Sequence, residues 1–362
     1  MHAHDAIPRW SIAVPVAAAL MVVAKFTHVV DAGSAVVLAL AALLLGGGVF
    51  AAVHHAEVLA ARLGEPLGSI ILAIAVTAIE VALIVSIMLA DPVGSTAVAR
   101  DAVFAAVMIV LNGVIGLCLV LGSYRHGEQG FQLRGASAAL AVLGTLSVMV
   151  MVLPNFSETV PGPVYTASQL IEVAVVALVL YGAFIFVQTI RHRDYFLEPT
   201  ADDGGPVDRP RPAVVAASAV LLPVSLVAVV LLAKTLSDPV DKAVAAAGFP
   251  REVVGIVIAA VVLLPESLAS VRAAFVNRLQ NSINLVLGSA LASIGLTIPI
   301  VAVVSLFMGS RLTLGLSQEN MVLLMLTLFV STLTLGTGRT TLLHGLIHLG
   351  IFGTFLMLSI VP

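Results

Sequence analysis

Apolar stretches, each long enough to cross a bilayer, dominate this sequence of 362 residues. A helix needs about 20 predominantly apolar residues to span the hydrocarbon core. Eleven stretches qualify: 9–30, 34–60, 66–90, 101–122, 135–153, 163–189, 212–234, 250–276, 281–308, 319–336 and 340–361. Only 10% of the residues are charged, which is too few to cover a water-facing surface. The sequence therefore predicts an all-α polytopic membrane protein with eleven transmembrane helices.

The basic residues between these stretches indicate an orientation. If the N-terminus is cytoplasmic, eleven of the 17 Lys and Arg residues fall in cytoplasmic segments and five fall outside. Because cytoplasmic loops carry the excess of Lys and Arg, we expect a cytoplasmic N-terminus and an extracytoplasmic C-terminus. The polar segment 191–211 then becomes a cytoplasmic linker. The expected location is the cell inner (plasma) membrane.

Two apolar segments resemble each other, EPLGSIILAIAVTAIEVALIVSIM and FPREVVGIVIAAVVLLPESLASVRAA, and each carries a glutamate deep within it. They predict an N-terminal helix (1–33), a first five-helix repeat (34–190), the linker, and a second five-helix repeat (212–362). An odd number of spans inserts the second copy upside down, as in many secondary transporters. The alternative is that apolar helices resemble each other by composition alone.

The two glutamates, Glu80 and Glu266, are the strongest functional signal. An ionised carboxylate at the bilayer centre costs at least about 2.5–3.5 kcal/mol on insertion scales. Protons remove that charge, and a hard cation that prefers oxygen ligands neutralises it. We expect both residues to line one midplane site that holds protons or a cation in turn, as an antiporter does by alternating access. The alternative is a glutamate that only bonds a neighbouring helix.

Neutral oxygens near the glutamates could complete such a site. Thr77 precedes Glu80 by three residues and so lies on the same helix face. Pro265 has no N–H to donate to the carbonyl of Val261, which could then bind a cation. The helices that follow each glutamate add three more candidate ligands: Asn112, Ser289 and Ser293.

Small residues in these following helices predict close helix packing. Gly288 and Ala292 are four residues apart, as are Asn112 and Gly116. This spacing places small side chains on one face, where it lets two backbones approach. For the serines, helix packing is an alternative to cation binding.

Three further residues are weaker candidates for a proton relay: Glu57, which follows two histidines, and His344 and His348, which are four residues apart. Histidines at this spacing can bind zinc, but two ligands make an incomplete site. Proton relay, interhelical hydrogen bonding and a purely structural role remain open for them.

These residues make the chain resemble the cation/calcium exchanger superfamily. Within it, the chain is most similar to the bacterial calcium(sodium)/proton antiporters of the cation/proton exchanger branch. The resemblance covers nearly everything after the first helix, and it is most specific in PESLASVRAAFVNRLQNSINLVLGSALASIGLTIP and GTGRTTLLHGLIHL. It implies that Glu80 and Glu266 bind the cation and that Ser293 matches a serine of the following helix. It also implies eleven helices, ten of them in two inverted repeats, and exchange of a cation for protons.

The sequence departs from the family where a Gly-Asn pair usually precedes each glutamate. Val76 and Thr77 stand in the first pair, and Val262 and Leu263 in the second. The loss of two amide carbonyls weakens the expectation of strict Ca²⁺ selectivity and leaves room for Na⁺ or K⁺. We expect no cofactor besides the transported ions and no enzymatic activity. The expected partners are cations, protons and lipid, with a homo-oligomer left open and no nucleic acid.

Three other classes of membrane protein are alternatives. A cation channel would need a continuous polar path, which two isolated glutamates do not provide. An intramembrane hydrolase could use Ser289 and His348, but LGSAL lacks the flanking glycines expected of a nucleophile. A transporter of another divalent cation, such as zinc, is the third.

Overall fold

The computed structural model describes residues 7–27, 34–64, 67–91, 94–197, 210–250 and 252–361. Within these ranges, eleven helical segments are long and apolar enough to cross a membrane. Each coincides with one of the predicted stretches, which confirms their number. The protein is an all-α polytopic membrane protein.

The helices and strands have the following bounds. The α-helices are α1 (Arg9–Phe26), α2 (Ala35–Leu63), α3 (Leu67–Ala90), α4 (Val98–Met108), α5 (Ile115–His126), α6 (Leu133–Ser147), α7 (Ala167–Phe186), α8 (Pro212–Ala246), α9 (Glu252–Phe275), α10 (Leu279–Ala292), α11 (Ile298–Met308), α12 (Gln318–Leu335) and α13 (Leu342–Ile360). The described residues also include the short strands β1 (Gln129–Gly130) and β2 (Arg339–Thr340). Segments of π-helix join or extend four of the spans: Ile109–Val114, Val148–Val152, Val187–Arg191 and Ser293–Thr297.

The ends of the helices differ from the prediction in two informative places. The stretch predicted at 212–234 is a helix that continues to Ala246, because Pro239 is accommodated inside it and does not end it. The stretch predicted at 101–122 starts at Val98 and runs on to His126. The end of the first predicted stretch, at 28–30, and residues 198–209 of the predicted linker lie outside the described residues.

The helices form two compact units, of which the first contains α1–α3 and α8. In this unit α2 packs between α1 and α8 through adjacent glycines. A Cβ added at Gly47 would lie 3.0 Å from Val14 Cγ1, and one at Gly48 would lie 2.9 Å from Val229 Cγ2. A side chain at either position would force the neighbouring valine to move, so the glycines allow α1 and α8 to pack closely on α2.

A buried histidine joins the same three helices by hydrogen bonds. His55 of α2 has Nε2 2.9 Å from the carbonyl oxygen of Ser11 in α1 and Nδ1 3.0 Å from Ser218 Oγ in α8. A carbonyl can only accept, so Nε2 carries the proton and Nδ1 accepts from the serine. Near the other end of α1, Lys25 Nζ donates to Thr235 Oγ1 of α8 at 3.0 Å.

The second unit contains α4–α7 and α9–α13, and its connecting segments pair in a two-fold manner. Strand β1, between α5 and α6, pairs antiparallel with β2, between α12 and α13. An antiparallel bridge joins Val164, between α6 and α7, to Thr313, between α11 and α12. In the two predicted repeats, β1 and the segment with Thr313 hold equivalent positions, and so do the segment with Val164 and β2. The two pairings are therefore equivalent when the first repeat is superposed on the second. The pairings therefore agree with the inverted repeats of the fold, whose residue limits stay a prediction.

Close helix contacts in this unit follow the same pattern. A Cβ added at Gly116 of α5 would lie 3.1 Å from His348 Cβ in α13, and one at Gly295 would lie 2.6 Å from Tyr181 Cβ in α7. The predicted role of Gly116 in packing is confirmed. The prediction for Gly288 is wrong, because a Cβ added there meets no atom within 4 Å. Spacing alone did not show which of the two glycines in this span, Gly288 or Gly295, faces a neighbour.

Candidate functional site

Helix α3 carries Thr77 and Glu80 on its buried face. Thr77 is 3% exposed and Glu80 is 4% exposed, in a helix whose surrounding buried residues are apolar. The spacing of three residues places both side chains on one side of the helix, as predicted. The first unit therefore holds a carboxyl and a hydroxyl on the buried face of this span.

Helix α9 carries the second glutamate, in the other unit. Glu266 is 8% exposed and follows Pro265, which lies inside the helix. Val261, one turn before the proline, is half-buried. Proline has no N–H, so the carbonyl oxygen of Val261 does not receive the hydrogen bond that residue 265 would otherwise donate to it in the helix.

A π-helical segment lies in each of the two spans that follow the glutamates. In one span the segment Ile109–Val114 contains Asn112, and in the other the segment Ser293–Thr297 begins at Ser293. Such segments insert an extra residue into a helical turn and are frequent at functional sites. Ser293 is 2% exposed, and Ser289, one turn earlier, is also buried.

Asn112 and His348 meet in a buried polar cluster that also includes Thr327. His348 Nδ1 is 3.1 Å from Asn112 Oδ1, and Asn112 Nδ2 is 2.9 Å from Thr327 Oγ1. The sulfur of Met108 lies 3.7 Å from Asn112 Nδ2 and 3.4 Å from Thr327 Oγ1. The three polar side chains come from three spans and are fully buried.

The other two relay candidates lie elsewhere. His344 is at the start of α13, where its Nδ1 accepts a hydrogen bond from the Thr341 backbone N–H at 3.4 Å. Glu57 is exposed on α2, in the first unit. Among the described residues, no group of three or more His, Cys, Asp or Glu residues is arranged to hold a metal ion.

The structure thus brings together some of the predicted site residues. Thr77 lies with Glu80 on one face, and Asn112 lies with His348. Glu80 and Glu266 belong to different units, so their approach to a common site stays a prediction. Sequence reasoning missed Thr327, because nothing in its apolar stretch distinguishes a threonine that bonds across helices from one that bonds its own backbone.

Sequence reasoning also missed a charged contact at the start of α4. Arg100 Nη2 lies 2.7 Å from Asp101 Oδ1, and Arg100 Nη1 donates to the carbonyl oxygen of Gly315 at 2.9 Å. The adjacent opposite charges in the sequence were the available signal. This pair connects α4 to the segment before α12.

Comparisons with known proteins identify the family and the fold of this chain. The model of the sodium/calcium exchanger protein family matches residues 33–190 and 217–361. The y4hA protein of Sinorhizobium fredii, whose name describes an ionic transporter, is 56% identical over 98% of this chain and 97% of its own length. The sodium-potassium/proton antiporter ChaA of Escherichia coli is 32% identical over 85% of this chain and 84% of its own length.

A solved structure has the same fold. The Ca²⁺/H⁺ antiporter protein YfkE superposes with a TM-score of 0.73, covering 98% of this chain and all of its own length. Its sequence identity is 16%, so the likeness concerns the fold alone.

Proposed function

Since this chain belongs to the sodium/calcium exchanger protein family, we propose that it exports Ca²⁺, and also Na⁺ or K⁺, in exchange for protons. The chain is a multi-pass membrane transporter with the fold of cation exchangers. The observation that carries the proposal is the burial of Glu80 and Glu266, each within a membrane-spanning helix.

The proposed mechanism uses the two carboxylates as carriers of either protons or cation. A carboxylate excluded from water needs compensation of its charge, and both a proton and a cation provide it. The transporter would therefore open to one side of the membrane or the other with either protons or a cation bound to the carboxylates. A state in which neither carboxylate binds a proton or a cation would be disfavoured. Because the site changes sides only with protons or a cation bound, cation transport in one direction is coupled to proton transport in the other.

Neutral oxygens would complete the cation's coordination, because Ca²⁺ takes six to eight oxygen ligands. The residues we propose for this role are Thr77, Ser289, Ser293, Asn112 and the carbonyl of Val261. Their buried or half-buried positions in spanning helices support the proposal.

The choice between Ca²⁺ and monovalent ions depends on how many oxygen ligands the site offers when the two amide residues of the family pattern are replaced. Thr77 replaces an amide residue of the family pattern, and Leu263 replaces the other. Fewer carbonyl ligands favour ions that demand less coordination. The 32% identical relative is named as a sodium-potassium/proton antiporter, which supports Na⁺ or K⁺ as additional substrates.

Cation-driven proton movement in liposomes tests this proposal. Purified protein would be reconstituted with a pH-sensitive dye inside, and Ca²⁺, Na⁺, K⁺ or Zn²⁺ would be added outside. We expect Ca²⁺ and at least one monovalent ion to drive proton movement. A response to Zn²⁺ alone would indicate a zinc transporter, and cation flux without proton movement would indicate a channel.

Glutamine substitutions test the role of each glutamate. Glu80→Gln and Glu266→Gln should each abolish Ca²⁺/H⁺ exchange between pH 6 and 9, because an amide cannot release a proton or neutralise a cation. Folding should survive, since a neutral amide is cheaper to bury than a charge. Glu319→Gln, at an exposed glutamate in the first turn of α12, is the matched control. Wild-type exchange by either glutamine variant would show that the glutamate concerned is structural.

A further inference from the structure

The cluster of Asn112, Thr327 and His348 has a defined direction of hydrogen bonding. A thioether sulfur has no proton to donate, so the amide end of Asn112 that lies beside Met108 Sδ is the NH₂ group. The other end, Oδ1, therefore faces His348 Nδ1, which must carry a proton to bond with it. Thr327 accepts from Asn112 Nδ2 and directs its own O–H toward the sulfur.

This direction places a proton on the Nδ1 atom of the histidine. With the proton on Nδ1, the neutral imidazole has a lone pair on Nε2. Nε2 is buried and has no hydrogen-bond partner among the described residues. The geometry thus favours a His348 that donates to Asn112 through Nδ1.

We infer that His348 and Thr327 are positioning residues for transport. They hold the two ends of the Asn112 amide and so fix its oxygen in the π-helical segment Ile109–Val114. This inference rests on the proposed function, in which Asn112 supplies a neutral oxygen to the cation. One of the two lone pairs of Oδ1 accepts from His348, and the other remains for a ligand.

A conservative substitution separates positioning from proton transfer. The amide NH₂ of an asparagine at position 348 is bonded to Cγ, as the ring Nδ1 of histidine is, and can donate in the same place. It cannot carry a proton at neutral pH. His348→Asn should therefore keep cation-driven proton movement in liposomes, with the pH profile of the wild type. His348→Leu, which removes the donor, should raise the cation KM about five- to tenfold, the value of one buried hydrogen bond, with a smaller effect on kcat.

Thr327 provides an independent second pair of variants. Thr327→Val removes the acceptor for Asn112 Nδ2 and should raise the cation KM in the same way, whereas Thr327→Ser should stay near wild type. Thr332→Val, at an exposed threonine of the same helix, is the control. Expression and monodispersity of every variant would be checked before reconstitution.

Two results would overturn the inference. If His348→Asn loses exchange or shifts its pH profile while its fold is intact, His348 carries a proton. If His348→Leu and Thr327→Val both keep the wild-type KM, the cluster does not position a ligand. Failure of the proposed function would look different, because wild-type protein would then move no protons when a cation is added.

Discussion

At the scale of residues, the polar side chains of the spanning helices fall into two kinds. Many hydroxyls bond a carbonyl of their own helix one turn earlier, as Thr189 does with Ile185, Ser225 with Leu221 and Ser267 with Leu263. Such bonds satisfy the hydroxyl without a neighbour. A few polar residues instead bond across helices, and these hold helices together or build a site. His55 and the cluster of Asn112, Thr327 and His348 are of this second kind.

A prediction at this scale concerns the choice of cation. Thr77→Asn would restore one amide of the family pattern on the face that carries Glu80. We expect Ca²⁺ transport to rise several-fold relative to Na⁺ transport, because Ca²⁺ takes more oxygen ligands. The measurement is the ratio of initial rates for the two ions in liposomes.

Ser86→Asn serves as the control for Thr77→Asn, since Ser86 lies on the same helix and bonds its own backbone at Ala82. If an active, well-expressed Thr77→Asn protein keeps the wild-type ratio of rates, Thr77 does not line the cation site.

At the scale of elements, the spans that follow the glutamates combine a π-helical segment with a close glycine contact. Gly116 lies just after the segment Ile109–Val114, and Gly295 lies inside the segment Ser293–Thr297. Both glycines bring their span against the last helix of one predicted repeat, α13 or α7. The extra residue of a π turn rotates the helix that follows it, so the glycine contact fixes that rotation.

The contact at Gly295 predicts a difference between two glycines of one span. Gly295→Ala would place a methyl group 2.6 Å from Tyr181 Cβ, whereas Gly288→Ala would meet no atom within 4 Å. Overpacking of this kind costs about 1–3 kcal/mol. Gly295→Ala should lower the thermal unfolding midpoint in detergent by several degrees, and Gly288→Ala should leave it unchanged or raise it. Equal midpoints for the two variants would contradict the close approach of α7.

At the scale of the whole molecule, the two-fold pairing of connecting segments is the main evidence of an inverted repeat. The β1–β2 pair and the Val164–Thr313 bridge join equivalent connecting segments of the two repeats, so each pairing is the counterpart of the other. An odd number of spans in each repeat makes such a relation natural, because the second copy then enters the membrane from the opposite side.

Topology reporters test the orientation that follows from this arrangement. A fusion at Asp203, in the linker, should report a cytoplasmic location, and a fusion at the C-terminus should report an extracytoplasmic one, because five helices separate them. A fusion at the N-terminus should match the one at Asp203. Matching signals at Asp203 and at the C-terminus would mean an even number of intervening spans and would exclude the inverted repeat.

Sequence by itself determined which stretches cross the membrane, because this follows from local composition and the thickness of the bilayer. The eleven spans needed no knowledge of neighbours, whereas burial of a carboxylate depends on packing: Glu80 and Glu266 are buried, but Glu57, also inside an apolar stretch, is exposed. The tertiary structure alone decided which helices meet. Apolar helices share similar faces, so the sequence could not show that Gly295 lies against Tyr181 whereas a side chain at Gly288 would meet no atom within 4 Å. It also could not show that Asn112 bonds His348 and Thr327, because a hydrogen bond between helices depends on their rotation and separation.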